Sequence, residues 1–186
     1  MKIKEILNIK TTNLNKYEIY AIYFFLFAFL GWCLETIFCI IVLGHFSKRG
    51  FLYGPICPIY GYGALILIIL LSKYKKSFFK LFLYSSVVFS VFEYVVSYIL
   101  EVLFDSFWWE YKNDFFNLNG RIAIFYSIAW GVIAIVFIKL LFPVLKKLVD
   151  KLITIIPSKI SFVSLYICIF IYGIDTTVSC IRNILI

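Results

Sequence analysis

Within stretches that are otherwise almost wholly apolar stand four carboxylates: Glu35, Glu93, Glu101 and Asp175. A carboxylate in hydrocarbon is costly unless paired or hydrated, so such groups normally face a protein interior or a water-filled cavity. Their spacing agrees with that. Ser86, Ser90, Glu93, Ser97 and Glu101 recur every three or four residues and form one helical stripe. Cys168, Tyr172, Asp175, Ser179 and Arg182 form a second, and Ala28, Gly31, Glu35 and Cys39, with Trp32 beside them, a narrower third. Carboxylates so placed can bind a cation or polar group, exchange protons, or act as general acid and base. They can also be interhelical glue, hydrogen-bonded to Ser and Tyr. Arg49 and Arg121 are the candidate partners, because a guanidinium offers a planar fork of donors suited to a carboxylate. Such a pair is either structural or a seat for an anionic headgroup or substrate.

Two connecting segments flank these residues. Arg49-Gly-Phe-Leu-Tyr-Gly-Pro-Ile-Cys-Pro-Ile-Tyr-Gly-Tyr-Gly63 is the most irregular stretch. Pro55 and Pro58 remove backbone donors, and Gly54 and Gly61 permit special dihedrals or close packing. Two readings stay open. The segment is a tight loop leading into a helix at about Pro58, or a re-entrant cavity wall holding Cys57 and Tyr60. The second segment, 104–120, mixes Trp108, Trp109, Tyr111, Phe115 and Phe116 with charged residues. It reads as an interfacial aromatic belt or as a lid. Asn119 and Gly120 suit a turn into the next helix.

The elements that must position these groups follow from composition. The chain has 186 residues, 63% hydrophobic and only 15% charged, and its mean hydropathy is +0.99. A soluble domain of this size cannot hide so much apolar surface. A soluble enzyme and a disordered chain are excluded, and nucleic acid is a poor reading of the net charge of +8. The expected fold is an all-α membrane bundle of about five helices, spanning roughly 19–43, 52–71, 78–103, 122–142 and 160–181. Residues 1–18 are expected to form a cytoplasmic tail ahead of a single transmembrane domain over 19–182. The first run follows a polar stretch and lacks a small-residue cleavage site, so it is not read as a signal peptide.

Thirteen of the eighteen basic residues fall in the N-terminal stretch, the 72–80 loop and the 139–159 segment, and five on the other side. The positive-inside rule then makes the N-terminus cytoplasmic and the C-terminus external. The carboxylates gather towards the outer half. The cytoplasmic 143–159 segment has room for one short amphipathic helix. No cofactor, no metal ligand spacing and no nucleotide-binding loop is evident. Helix one carries Glu35 and helix three carries Glu93, and each leads into a glycine-bearing helix. This suggests a parallel two-plus-two repeat, although identity between the halves is low.

Several strings together resemble a known family. They are Gly31-Trp-Cys-Leu-Glu35, Arg49 to Gly61, Glu93 and Glu101, Trp109-Glu-Tyr111, Asn117-Leu-Asn-Gly-Arg121, and Trp130-Gly131. Over about residues 20–145 the chain resembles the bacterial ABC-transporter permease family (ABC transporter type IV). The family's Trp-Asp-Tyr stands here as Trp109-Glu110-Tyr111. The fifth helix, with Asp175, lies outside the resembling stretch. The resemblance implies a multi-pass bacterial cell-membrane protein and a separate ATPase subunit, yet no EAA-type coupling motif stands in the short cytoplasmic loops.

The leading expectation is therefore a transporter or permease component in the lipid bilayer, with a separate ATPase subunit or as a homo-oligomer. Its outward-facing site would comprise Glu35, Glu93, Glu101, Arg49, Arg121, Asn119, Tyr60, Trp109 and Asp175. The alternatives are a membrane enzyme acting on lipid-linked or cell-envelope substrates, and a non-catalytic membrane partner or assembly factor.

Overall fold

The computed structural model describes residues 14–47 and 50–185; Arg49 and most of the expected tail lie outside them. The chain is 78% helical. In order, the elements are α1 (Lys16–Leu43), α2 (Pro58–Ile66), α3 (Phe78–Phe104), a hairpin of β1 (Asn117–Leu118) and β2 (Ile122–Ala123), α4 (Ile124–Val136), α5 (Phe142–Ile155) and α6 (Ser158–Leu185). A π-helical turn, Leu67–Leu71, extends α2 and is followed by a 3-10 turn, Ser72–Tyr74. A second π turn, Phe137–Leu141, joins α4 to α5.

Local chemistry explains the boundaries. Asn15 opens α1 with a capping box: its Oδ1 accepts from the amides of Tyr17 (2.8 Å) and Glu18 (3.0 Å), and Glu18 accepts from the Asn15 amide (2.7 Å). Gly44 closes α1 in the left-handed conformation (φ 73°). Ser77 caps the start of α3, and Asp105 (φ 47°) ends it.

Among the described residues four helices are long and apolar enough to cross a bilayer: Lys16–Leu43, Phe78–Phe104, the continuous Ile124–Ile155 and Lys159–Leu185. In place of the expected second span over 52–71 stands the shorter apolar helix Pro58–Tyr74, at 17 residues, which is not one of these four. That is about 25 Å of helix, just under the ~30 Å hydrocarbon core. The expected fourth span does not stop at 142 but runs through the second π turn into α5. This is the anticipated amphipathic helix, fused to the span rather than separate from it.

The pattern of burial is that of a lipid-solvated protein. Glu93, Ser85, Ser97 and Ser179 are buried, while Ile41 is 76% and Phe125 72% exposed. Polar groups turn inward and apolar ones outward, because lipid cannot hydrogen-bond.

The chain divides into two compact units. Unit one comprises residues up to Ile66 and from Lys147 onward, and unit two comprises Leu67–Lys146. In unit one, α1 packs on α2 and on α6. In unit two, α3 packs along α4, and the β hairpin sits over that pair. The close approach of each pair depends on glycine. A Cβ at Gly61 would fall 2.6 Å from the Phe24 ring and 2.8 Å from the Phe24 carbonyl, and one at Gly131 would fall 2.5 Å from Ser86 Oγ and 2.6 Å from the Phe82 ring.

Candidate functional site

In unit two the stripe on α3 meets partners at almost every position. Glu93 is near the middle of α3 and only 7% exposed. Its two oxygens are held separately: Tyr111 Oη donates to Oε1 (2.9 Å) and Trp130 Nε1 donates to Oε2 (3.0 Å). Two turns further along α3, Glu101 pairs with Arg121, whose other terminal nitrogen donates to Ser97 Oγ (3.3 Å). The guanidinium also lies over the rings of Tyr94 (5.7 Å) and Tyr98 (5.5 Å). Ser90 donates to Ser127 Oγ (2.6 Å), joining the same stripe to α4.

The segment 105–123 folds over this centre as an ordered cap. Asn119 (φ 53°) and Gly120 (φ 67°) make the tight reversal between β1 and β2. The Tyr111 amide donates to the Gly120 carbonyl (2.7 Å), Trp109 Nε1 to the Arg121 carbonyl (3.1 Å), and Asn119 Nδ2 to Tyr94 Oη (2.9 Å). Stacking of Tyr111 on Tyr126, with centroids 4.0 Å apart, fixes the phenol that reaches Glu93. Burial pushes the Tyr111 phenol well above its ordinary range, and the nearby Glu93 charge adds to that. The group therefore remains a proton donor to the carboxylate. Arg121 is held in its charged form chiefly by the hydrogen bond to Glu101.

Unit one has a simpler centre. Tyr60 Oη donates to Glu35 Oε1, and the Tyr60 ring lies against Gly31. From Gly50 to Cys57 the Gly/Pro-rich stretch is irregular, and α2 begins at Pro58. It is tied down from two sides. The buried Cys57 donates its amide to the Ala28 carbonyl of α1 (2.9 Å). From α6, Asp175 accepts from the amides of Tyr53 (2.8 Å) and Gly54 (2.7 Å), and Ser179 also donates to it (3.1 Å). Arg182 donates to the Phe51 carbonyl (2.8 Å) and lies 4.5 Å over the Tyr53 ring.

A family profile described as "Putative ABC-transporter type IV" matches residues 22–180. The chain belongs to this family. No curated protein and no solved structure matches the chain. The match to the ABC-transporter type IV family reaches past residue 145 and takes in Asp175, so α6 is part of the family's fold.

Among the expected site residues, Glu93, Glu101, Arg121, Asn119 and Trp109 come together in unit two. Glu35 meets Tyr60 in unit one, where Asp175 instead grips the loop that contains Gly54 and Pro55. Arg49 lies outside the described residues. The stripe on α6 is oriented as its spacing implied from Tyr172 to Arg182, whereas Cys168 is exposed. Tyr111 and Trp130 are the site residues that spacing alone misses. For Trp130 a signal stands in Trp130-Gly131, which repeats the aromatic-glycine pair Tyr60-Gly61, whereas Tyr111 has no such counterpart.

Proposed function

We propose that the chain is the membrane-embedded component of an ABC-type transporter in the bacterial cell membrane, with the Glu93 centre as its proton- or cation-binding site. One observation carries this reading. Glu93 is buried in mid-span, and the hydrogen bonds to its carboxylate come from two neutral donors, a phenol and an indole. Among the described residues no Lys or Arg forms an ion pair with it. An intramembrane carboxylate without a cationic partner is costly as structural glue. A proton or a small cation completes it. Arg121, already engaged by Glu101 and Ser97, positions the cap rather than neutralising Glu93.

The N-terminus is cytoplasmic in this reading, so the 105–123 cap lies on the external side. A separate ATPase subunit supplies the energy. The test is affinity purification of the full chain in mild detergent, followed by mass spectrometry. Co-purification of a nucleotide-hydrolysing subunit supports the transporter reading. Chemical turnover of lipid-linked substrates by the chain alone in lipid would overturn it in favour of an enzyme. Glu93→Gln should retain the partner and the expression level, and lose transport in cells. A fully active Glu93→Gln protein would remove Glu93 from the function.

A further inference from the structure

The two helical hairpins repeat each other in detail. Shifting α1 by 58 residues brings Phe24 onto Phe82, Glu35 onto Glu93 and Cys39 onto Ser97. The fully buried Tyr23 then falls on the fully buried Leu81, and Cys39 and Ser97 are likewise both buried. Shifting the following helix by 70 residues brings Tyr60-Gly61 onto Trp130-Gly131 and the buried Ala64 onto the buried Ala134. The same shift superimposes the two π turns, Leu67–Leu71 on Phe137–Leu141, with the first two residues of each buried. Well under 1% of residues adopt π helix, so two such turns at equivalent positions are poorly explained by chance.

The chemistry repeats with the backbone. In each hairpin the aromatic residue before the glycine donates to the glutamate of the preceding helix: Tyr60 to Glu35, and Trp130 to Glu93. In each, the glycine itself lies against the phenylalanine eleven residues before that glutamate. The second hairpin has twelve more residues between glutamate and aromatic, and this added length carries the β hairpin and Tyr111. Tyr111 is thus an extra donor with no counterpart in the first hairpin.

We propose that the chain is a duplicated helical hairpin in which Glu35 and Glu93 are two copies of one proton-binding site, so that each chain carries two exchangeable protons. This rests on the proton-binding reading of Glu93 and extends it to Glu35. Among the described residues, the titratable groups facing Glu35 are Tyr60 and Cys57. Asp175 and Arg182 of α6 are engaged on the loop backbone. Facing Glu93 is Tyr111, beside the non-titrating Trp130, while Arg121 and Lys112 pair with Glu101 and Glu110. The two copies differ within their own units: Glu93 has the cap and two donors, whereas among the described residues of unit one Glu35 has the single donor Tyr60.

The experiment uses the full chain in phosphatidylethanolamine–phosphatidylglycerol vesicles and dicyclohexylcarbodiimide, which modifies protonated carboxyls in apolar surroundings. Peptide mass spectrometry reads each site separately, so the wild-type chain suffices and no variant need fold. Both Glu35 and Glu93 should be modified, less as pH rises, with Glu93 several-fold slower. Tyr111→Phe should bring the two rates closer together. Modification of Glu93 alone overturns the second copy and leaves the Glu93 reading standing. Modification of neither, or of Glu35 alone, overturns both.

Discussion

Asp175 shows how one residue type admits different uses. Its place in an apolar helix made it a candidate for binding, and its partners turn out to be two consecutive amides of the 50–57 loop. A carboxylate suits that task because each oxygen accepts one N–H. Asparagine has a single acceptor oxygen, so Asp175→Asn must lose one of the two bonds and press an NH2 against the other amide. Hydrogen bonds to charged groups contribute about 1.5–3 kcal/mol. The expected result is a loop that opens more often, read as at least tenfold faster maleimide labelling of the buried Cys57 by peptide mass spectrometry. Unchanged Cys57 reactivity would mean that Ala28 and Arg182 hold the loop alone. The side of the helix on which Asp175 and Glu93 fall was legible in the spacing. Their partners were not, because Tyr53, Gly54, Tyr111 and Trp130 arrive from distant segments whose paths depend on tertiary packing.

Between elements, contact is governed by small residues that spacing alone does not rank. Gly61, Gly131 and Gly173 all sit in helices, yet they do different work. A methyl at Gly61 would meet the Phe24 ring and its backbone carbonyl, and one at Gly131 would meet Phe82 and Ser86, whereas one at Gly173 meets nothing within 4 Å. Overpacking of a tight contact costs about 1–3 kcal/mol, while Gly→Ala at an unobstructed helix position is favourable by up to about 1 kcal/mol. Gly61→Ala and Gly131→Ala should therefore lower unfolding midpoints in mixed detergent, and Gly173→Ala should leave them equal or higher. Gly61→Ala should be the more severe of the two, since a backbone carbonyl cannot rotate away as Ser86 Oγ can. Equal effects at all three positions would sink the close-packing account. Helix existence was readable from the apolar runs. The π turns and the fusion of α4 to α5 were not, because neither leaves a mark in hydrophobic periodicity.

For the whole molecule, sidedness turns on the short helix Pro58–Tyr74. At 17 residues it gives about 25 Å against a ~30 Å core. A shortfall of this size is met by local thinning at fractions of a kcal/mol per Å. Lys73, Lys75 and Lys76 follow directly and can reach the headgroups from a slightly buried end. The alternative, in which the helix turns back, would leave the basic 72–80 loop on the same side as the 44–57 loop. That would forfeit the asymmetry of thirteen basic residues against five. The proposed orientation therefore requires this helix to cross. The check is a single cysteine placed in turn at Ser47, Lys76, Asn113 and Lys151, with a membrane-impermeant maleimide and a peptide-level readout that leaves the native cysteines in place. Ser47 and Asn113 should label in intact cells, and Lys76 and Lys151 only after permeabilisation. Labelling of Ser47 and Lys76 together would show that the short helix does not cross, and would remove the external position assigned to the cap over Glu93.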